Sequence, residues 1–155
     1  TTEIYTLSLH DALPILKLTD VYSRLGATNA SRVTVFIDAC FSGGGRASGL
    51  IAATGGRAVR ILPKQVAVSG KLIVFTASSG EQSSLPYNQK QHGLFTYFLL
   101  KKLKETSGNV SYGELAEYLK SNVAITSLNV NQKEQTPQVN VGIDLGDEWK
   151  EYTIR

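Results

Sequence analysis

Apolar positions along this chain fall into two kinds of run, short continuous ones and longer ones at helical spacing. Val33 to Ile37 is β-branched or aromatic throughout, and Leu72 to Ala77 is nearly as apolar. Runs of that length predict strands buried on both faces, as in a parallel sheet covered by helices. Leu16, Leu18, Val21, Tyr22 and Leu25 recur at helical spacing and stop at Gly26, so a helix over Leu16 to Gly26 should pack on the sheet just before the first strand. Gly93 to Glu105 predicts a second helix, with Lys101, Lys102 and Lys104 at the end that favours cations. Ser111 and Glu114 have capping-box spacing and open a third helix through Leu115, Leu119 and Val123. Pro137 stops any further helix, Val139 to Leu145 alternates as a late strand, and Glu151 to Ile154 reads as a short final one. The order of elements is that of an α/β layer.

The candidate chemistry sits where the first strand ends. Ile37-Asp38-Ala39-Cys40 delivers the only cysteine of the chain to a turn, and Gly43, Gly44 and Gly45 follow at once. A free cysteine is most often a buried structural residue. A thiol at the carboxyl end of a sheet strand, however, stands where open α/β sheets place their sites. The strand-then-glycine context therefore favours a nucleophile.

Asp38-Ala39-Cys40-Phe41-Ser42-Gly43 resembles the nucleophile segment of the caspase-like cysteine peptidases. It is closer to the metacaspase and bacterial caspase-like branch than to the animal enzymes, which carry Gln-Ala-Cys. Lys71 to Ser84 is similar to the family's next core strand and pocket-lining loop, Gln91 to Leu100 to the helix that follows, and Gln135-Thr136-Pro137-Gln138 to the run before the last strand. The four motifs come in the family's order and cover roughly residues 16 to 145. The resemblance implies a caspase-like three-layer α/β fold, a mostly parallel sheet with helices on both faces, here lacking its first strands. It also implies a cysteine endopeptidase in which Cys40 attacks the peptide carbonyl and the Cys40 amide is one oxyanion donor. Asp38 would help form a pocket preferring Arg or Lys before the cleaved bond, with Ser78, Ser79 and Glu81 on the neighbouring loop. The contrasting reading is a non-catalytic caspase-like module that binds protein partners.

A thiol needs a neighbouring imidazole to take its proton or stabilise the thiolate. In caspase-type chains that histidine lies about 50 residues upstream of the cysteine, which from Cys40 falls before residue 1. Residues 1–15, Thr1 to Ile15, resemble, residue for residue, one reading frame of a common sequencing-library adapter, the alternative being a natural amphipathic leader. They are set aside as a scar, and His10 with them. The remaining residues 16–155 form a partial caspase-like catalytic domain, expected to be inactive without the upstream base. His92 precedes Gly93 at a helix start and is expected to cap or pack.

Composition narrows the picture further. The scar holds Glu3 and Asp11 and no Lys or Arg, so the formal charge of the rest rises from +3 to +5. The basic residues are scattered without the interleaved aromatics of single-strand nucleic-acid grooves, so no nucleic-acid partner is expected. No stretch approaches the roughly 20 apolar residues of a membrane span. One cysteine forms no internal disulfide, and nothing requires an oxidising compartment. Gly43 to Gly49 lacks the Lys-Ser or Lys-Thr of a P-loop, and Ser48 stands at the third glycine of a dinucleotide pattern. Ser42 lies outside a Gly-x-Ser-x-Gly elbow. Metal binding lacks clustered ligands. The expected partner is a peptide or protein substrate and no cofactor is expected, with calcium activation and oligomeric state left open. Gly43 to Gly70 is longer than most loops of compact domains; the resemblance implies a processing-type loop, in which Arg57, Arg60 and Lys64 are candidate self-cleavage positions, the alternative being a plain linker that is never cut.

Overall fold

The structure, a computed structural model, describes residues 18–39, 68–79 and 82–155. Cys40, Arg57, Arg60, Lys64 and Glu81 lie outside the described residues, as do residues 1–15 and residues 43–67 of the expected processing loop. Helix α1 (Leu18–Gly26) precedes strand β1 (Val33–Ile37), and β2 (Leu72–Thr76) follows. A two-residue hairpin, β3 (Pro86–Tyr87) and β4 (His92–Gly93), leads into α2 (Leu94–Thr106). Helix α3 (Tyr112–Asn131) and strand β5 (Gln138–Val141) complete the regular elements.

β1 and β2 are parallel, with Val33 opposite Leu72 and Ile37 opposite Thr76. β5 joins the other side of β2 in the antiparallel sense, Ile73 opposite Val141 and Thr76 opposite Gln138. The described sheet is therefore mixed, in the order β1-β2-β5. β2 is buried at every residue, as its unbroken apolar run predicts. β1 is half-buried along its length rather than buried on both faces, since β2 occupies the centre of the three strands.

The pleat of β2 divides the core in two. Leu72 and Val74 point to one face and meet Tyr22, with Leu18, Val21 and Leu25 of α1 and Val33, Val35 and Ile37 of β1 packed around them. Ile73 and Phe75 point to the other face, among Leu94, Phe95, Phe98 and Leu99 of α2 and Leu115, Leu119 and Val123 of α3. This is the period-2 alternation of a strand with helices on both sides, and it makes three layers. Phe36 stacks on Phe75 with ring centroids 5.0 Å apart.

Helix boundaries follow their caps. Ser111 Oγ accepts the Glu114 N–H at 3.1 Å, the first half of the expected capping box. The Glu114 carboxylate turns instead to Lys102 Nζ at 2.7 Å, joining α3 to α2. α3 then runs to Asn131, well past Val123, because no Gly or Pro interrupts the chain between Glu114 and Gln132. The late strand stops at Val141, where Gly142 donates its N–H to the Leu72 carbonyl at 2.8 Å and a Cβ would overlap the Gly70 carbonyl oxygen. Ile143–Leu145 and Glu148–Glu151 are 3-10 turns rather than strand. Of the expected final strand, one antiparallel bridge remains, between Ser111 and Thr153. Among the described residues no helix is long and apolar enough to cross a membrane.

Replacing Ser111 by Ala removes the cap of α3 and should cost about 1 kcal/mol of stability. Urea denaturation of the two proteins checks this, and an unchanged midpoint would show that the Lys102–Glu114 pair and Tyr112 packing hold the helix start alone.

Candidate functional site

Parallel pairing brings the carboxyl ends of β1 and β2 side by side, with the Ala77 N–H donating to the Ile37 carbonyl at 2.9 Å. Asp38 and Ala39 continue from β1 as the last described residues before Cys40 in sequence, while Ser78 and Ser79 continue from β2. The chain thus places Asp38 at the same edge of the sheet as the loop that follows β2.

The Asp38 carboxylate is held from two directions. Its Oδ2 accepts the Thr96 hydroxyl at 2.6 Å and the Thr96 N–H at 3.3 Å. Its Oδ1 accepts the Ser84 hydroxyl. Thr96 is the third residue of α2, so Asp38 serves the helix from outside it, taking one of the amides left without an intrahelical partner. A carboxylate at that end is also favoured by the helix dipole. Asp38 itself is half-buried.

Gly93, the N-cap of α2, makes this approach close. Its backbone has φ −67° and ψ 150°, open to any residue, but a Cβ there would overlap Asp38 Oδ2. The glycine is required by space rather than by conformation.

Ser78 is buried and donates its hydroxyl to the Gln82 carbonyl at 3.1 Å. The Ser79 carbonyl accepts the Gln82 N–H at 3.0 Å, and Ser79 is half-buried. Ser78 therefore shapes its loop from within, and Ser79 is the more open of the two. Thr96, Ser84 and Gly93 were not singled out from the sequence as site residues. The signal was faint: Thr96 and Gly93 lie within a quoted motif, but their common partner Asp38 is more than fifty residues away.

His92 neither caps nor packs. It is exposed, pairs in β4 with Tyr87, and opens onto a groove with Lys90, Tyr97, Leu100, Lys101 and Lys104. The cap position belongs to Gly93, and the hairpin turns the histidine outward.

A three-layer α/β domain with a polar cluster at the carboxyl ends of a parallel strand pair belongs to the class that builds its sites outside those ends. The family model of the caspase domain, peptidase family C14, matches residues 2–143, and the chain belongs to that family. The family is one of cysteine peptidases, hydrolases that act on peptides and proteins. Comparison with curated proteins and with solved structures gives no match.

Substituting Gly93 by Ala should displace Asp38 and destabilise the domain by about 1–3 kcal/mol, the usual range for forced overpacking. In an Asp38→Ala background the same change should cost much less, because the obstructed atoms are gone. Equal costs in both backgrounds, read from denaturation midpoints, would show that the two residues are not in contact.

Proposed function

We propose that this chain is part of the catalytic domain of an endopeptidase of the metacaspase and bacterial caspase-like branch, inactive by itself, with Cys40 as nucleophile and a preference for Arg or Lys before the cleaved bond. In that reaction the Cys40 sulfur adds to the peptide carbonyl and its proton passes to an imidazole, which the resemblance puts upstream of the chain's first residue. The Cys40 amide helps hold the oxyanion, a kind of contact worth roughly 3 kcal/mol per donor. The leaving amine takes the proton, and water then releases the acyl group from sulfur.

One observation carries the specificity: Asp38, two residues ahead of Cys40, is a half-buried carboxylate oriented by hydroxyls and a backbone amide. Three donors leave capacity on its two oxygens, since a carboxylate offers about four lone-pair sites. A guanidinium can use that capacity, and an acidic side chain would be repelled. Ser79 would add to the same pocket and Glu81 is assigned to it by the resemblance alone, with Ser78 bracing its loop from inside.

Affinity labelling tests this without requiring the base. Cys40 is the only cysteine, so alkylation by peptidyl chloromethyl ketones reports on one atom. An arginyl reagent should label it about tenfold or more faster than a leucyl or aspartyl one, and Asp38→Asn should remove most of that advantage. Equal rates for all three reagents in the unaltered protein would refute the preference.

The 43–70 loop supplies the second test. In the active protein, Arg57, Arg60 and Lys64 are the expected self-cleavage positions. Mass spectrometry should find cleavage after at least one of them and none in Cys40→Ala. An intact mass in a preparation that turns over arginyl peptides would rule self-processing out.

A further inference from the structure

Gln135 has no exposed surface, and every bond of its side chain goes to one short stretch of chain. Its Oε1 accepts the Leu85 N–H at 2.8 Å and its Nε2 donates to the Ala77 carbonyl at 2.9 Å. One acceptor and one donor bridge two backbones here as a strand's peptide group would. Its own N–H donates to Ser127 Oγ at 3.2 Å, and that hydroxyl donates to the Ala124 carbonyl at 2.9 Å, which anchors the bridge on α3.

Its neighbours repeat the arrangement. Thr136 donates its N–H to Gln82 Oε1 at 2.6 Å, and Gln82 Nε2 donates back to Thr136 Oγ1 at 3.4 Å. Asn131, at the end of α3, donates its amide to the Pro86 carbonyl at 3.1 Å. The connection from α3 to β5 is therefore tied at three places to the segment from Ala77 to Pro86, through side-chain amides rather than a β-ladder. That segment carries Ser78 and Ser79, and also Ser84, which bonds Asp38.

We infer that Gln135 is a positioning residue for substrate: its buried amide, seconded by Gln82 and Thr136, fixes both ends of the loop that follows β2. The assignment of that loop to substrate rests on the function proposed above, whereas the clamp rests on the bonds themselves. Ala77 and Leu85 have their other backbone groups engaged, the Ala77 N–H by Ile37 and the Leu85 carbonyl by the Leu94 N–H at 3.0 Å. Loss of the Gln135 amide leaves the Ala77 carbonyl and the Leu85 N–H without partners in a buried place, and the loop must move to satisfy them. Loop movement alters where a substrate side chain sits and leaves the intrinsic reactivity of the thiol alone.

The test pairs hydrogen exchange with labelling of Cys40. Gln135→Leu removes both the acceptor for Leu85 and the donor to Ala77 at nearly the same side-chain volume, while Gln82→Ala is a milder, less buried change should the first variant fail to fold. In both, exchange over residues 78–85 should quicken about tenfold for the first and less for the second, with β2 and α2 little changed. The saturation constant for the arginyl chloromethyl ketone should rise about tenfold, while its limiting rate and the rate with iodoacetamide stay within about twofold. Unaltered exchange over 78–85 overturns the clamp. Faster exchange with an unchanged saturation constant, or equal losses with both reagents, reduces Gln135 to a structural residue and overturns the inference. If the unaltered protein shows no saturable arginyl labelling, the peptidase reading fails and takes the substrate role with it, although the exchange result still decides the clamp.

Discussion

Asp38 is the point at which sheet, helix and loop of this domain are fastened together at the carboxyl edge of the parallel strands. Strand β1 ends in a carboxylate that reaches under the first turn of α2, and Ser84 closes on it from the other side. Sheet, helix and loop thereby share one acceptor. The closeness depends on an absence: Gly93 presents no Cβ, so the carboxylate fills the room that a side chain would take. The same geometry satisfies the Thr96 amide for the fold and orients the carboxylate on which the proposed specificity rests.

The rest of the architecture is arranged around β2. Its five residues are buried and its alternate side chains supply both cores. α1 covers one side, α2 and α3 the other, and at the strand's carboxyl end chain from the sheet meets chain from the α2–α3 layer. Beyond that end regular hydrogen bonding ceases, and side-chain amides take over its work. Buried polar groups are stabilising only when fully partnered, and the amide of Gln135 satisfies that condition with a donor and an acceptor both engaged.

Much of the layer order was legible because it is local. Val33 to Ile37 and Leu72 to Thr76 announce themselves as strands by composition, and Ser111 announces the start of α3 by its cap. Relations between distant residues were not legible. The half-exposure of β1 depends on which strands flank it, the antiparallel sense of β5 on how the chain returns after α3, and the outward turn of His92 on a hairpin of two residues per strand. α3 outruns its apolar stripe because Ile125 and Leu128 stand exposed on it, so periodicity alone ends the helix too early. At the site, Asp38 was readable from its motif, but Thr96, Ser84 and Gln135 were not, since each acts across more than forty residues of chain. Membership in the caspase family agrees with the order of motifs from which it was inferred.

The last residues of the chain have a structural use. The Arg32 guanidinium lies between the rings of Tyr112 and Tyr152, at 5.2 and 4.7 Å from their centroids, and donates to the Thr153 carbonyl at 3.1 Å. The Tyr112 N–H donates to the Tyr152 carbonyl at 2.8 Å. The tail is thus a strap across the start of α3, tied to the residue just ahead of β1. Whatever displaces residues 152–154 therefore acts on two elements at once, on the start of α3 directly and on the start of β1 through Arg32, a residue 121 positions earlier in the chain.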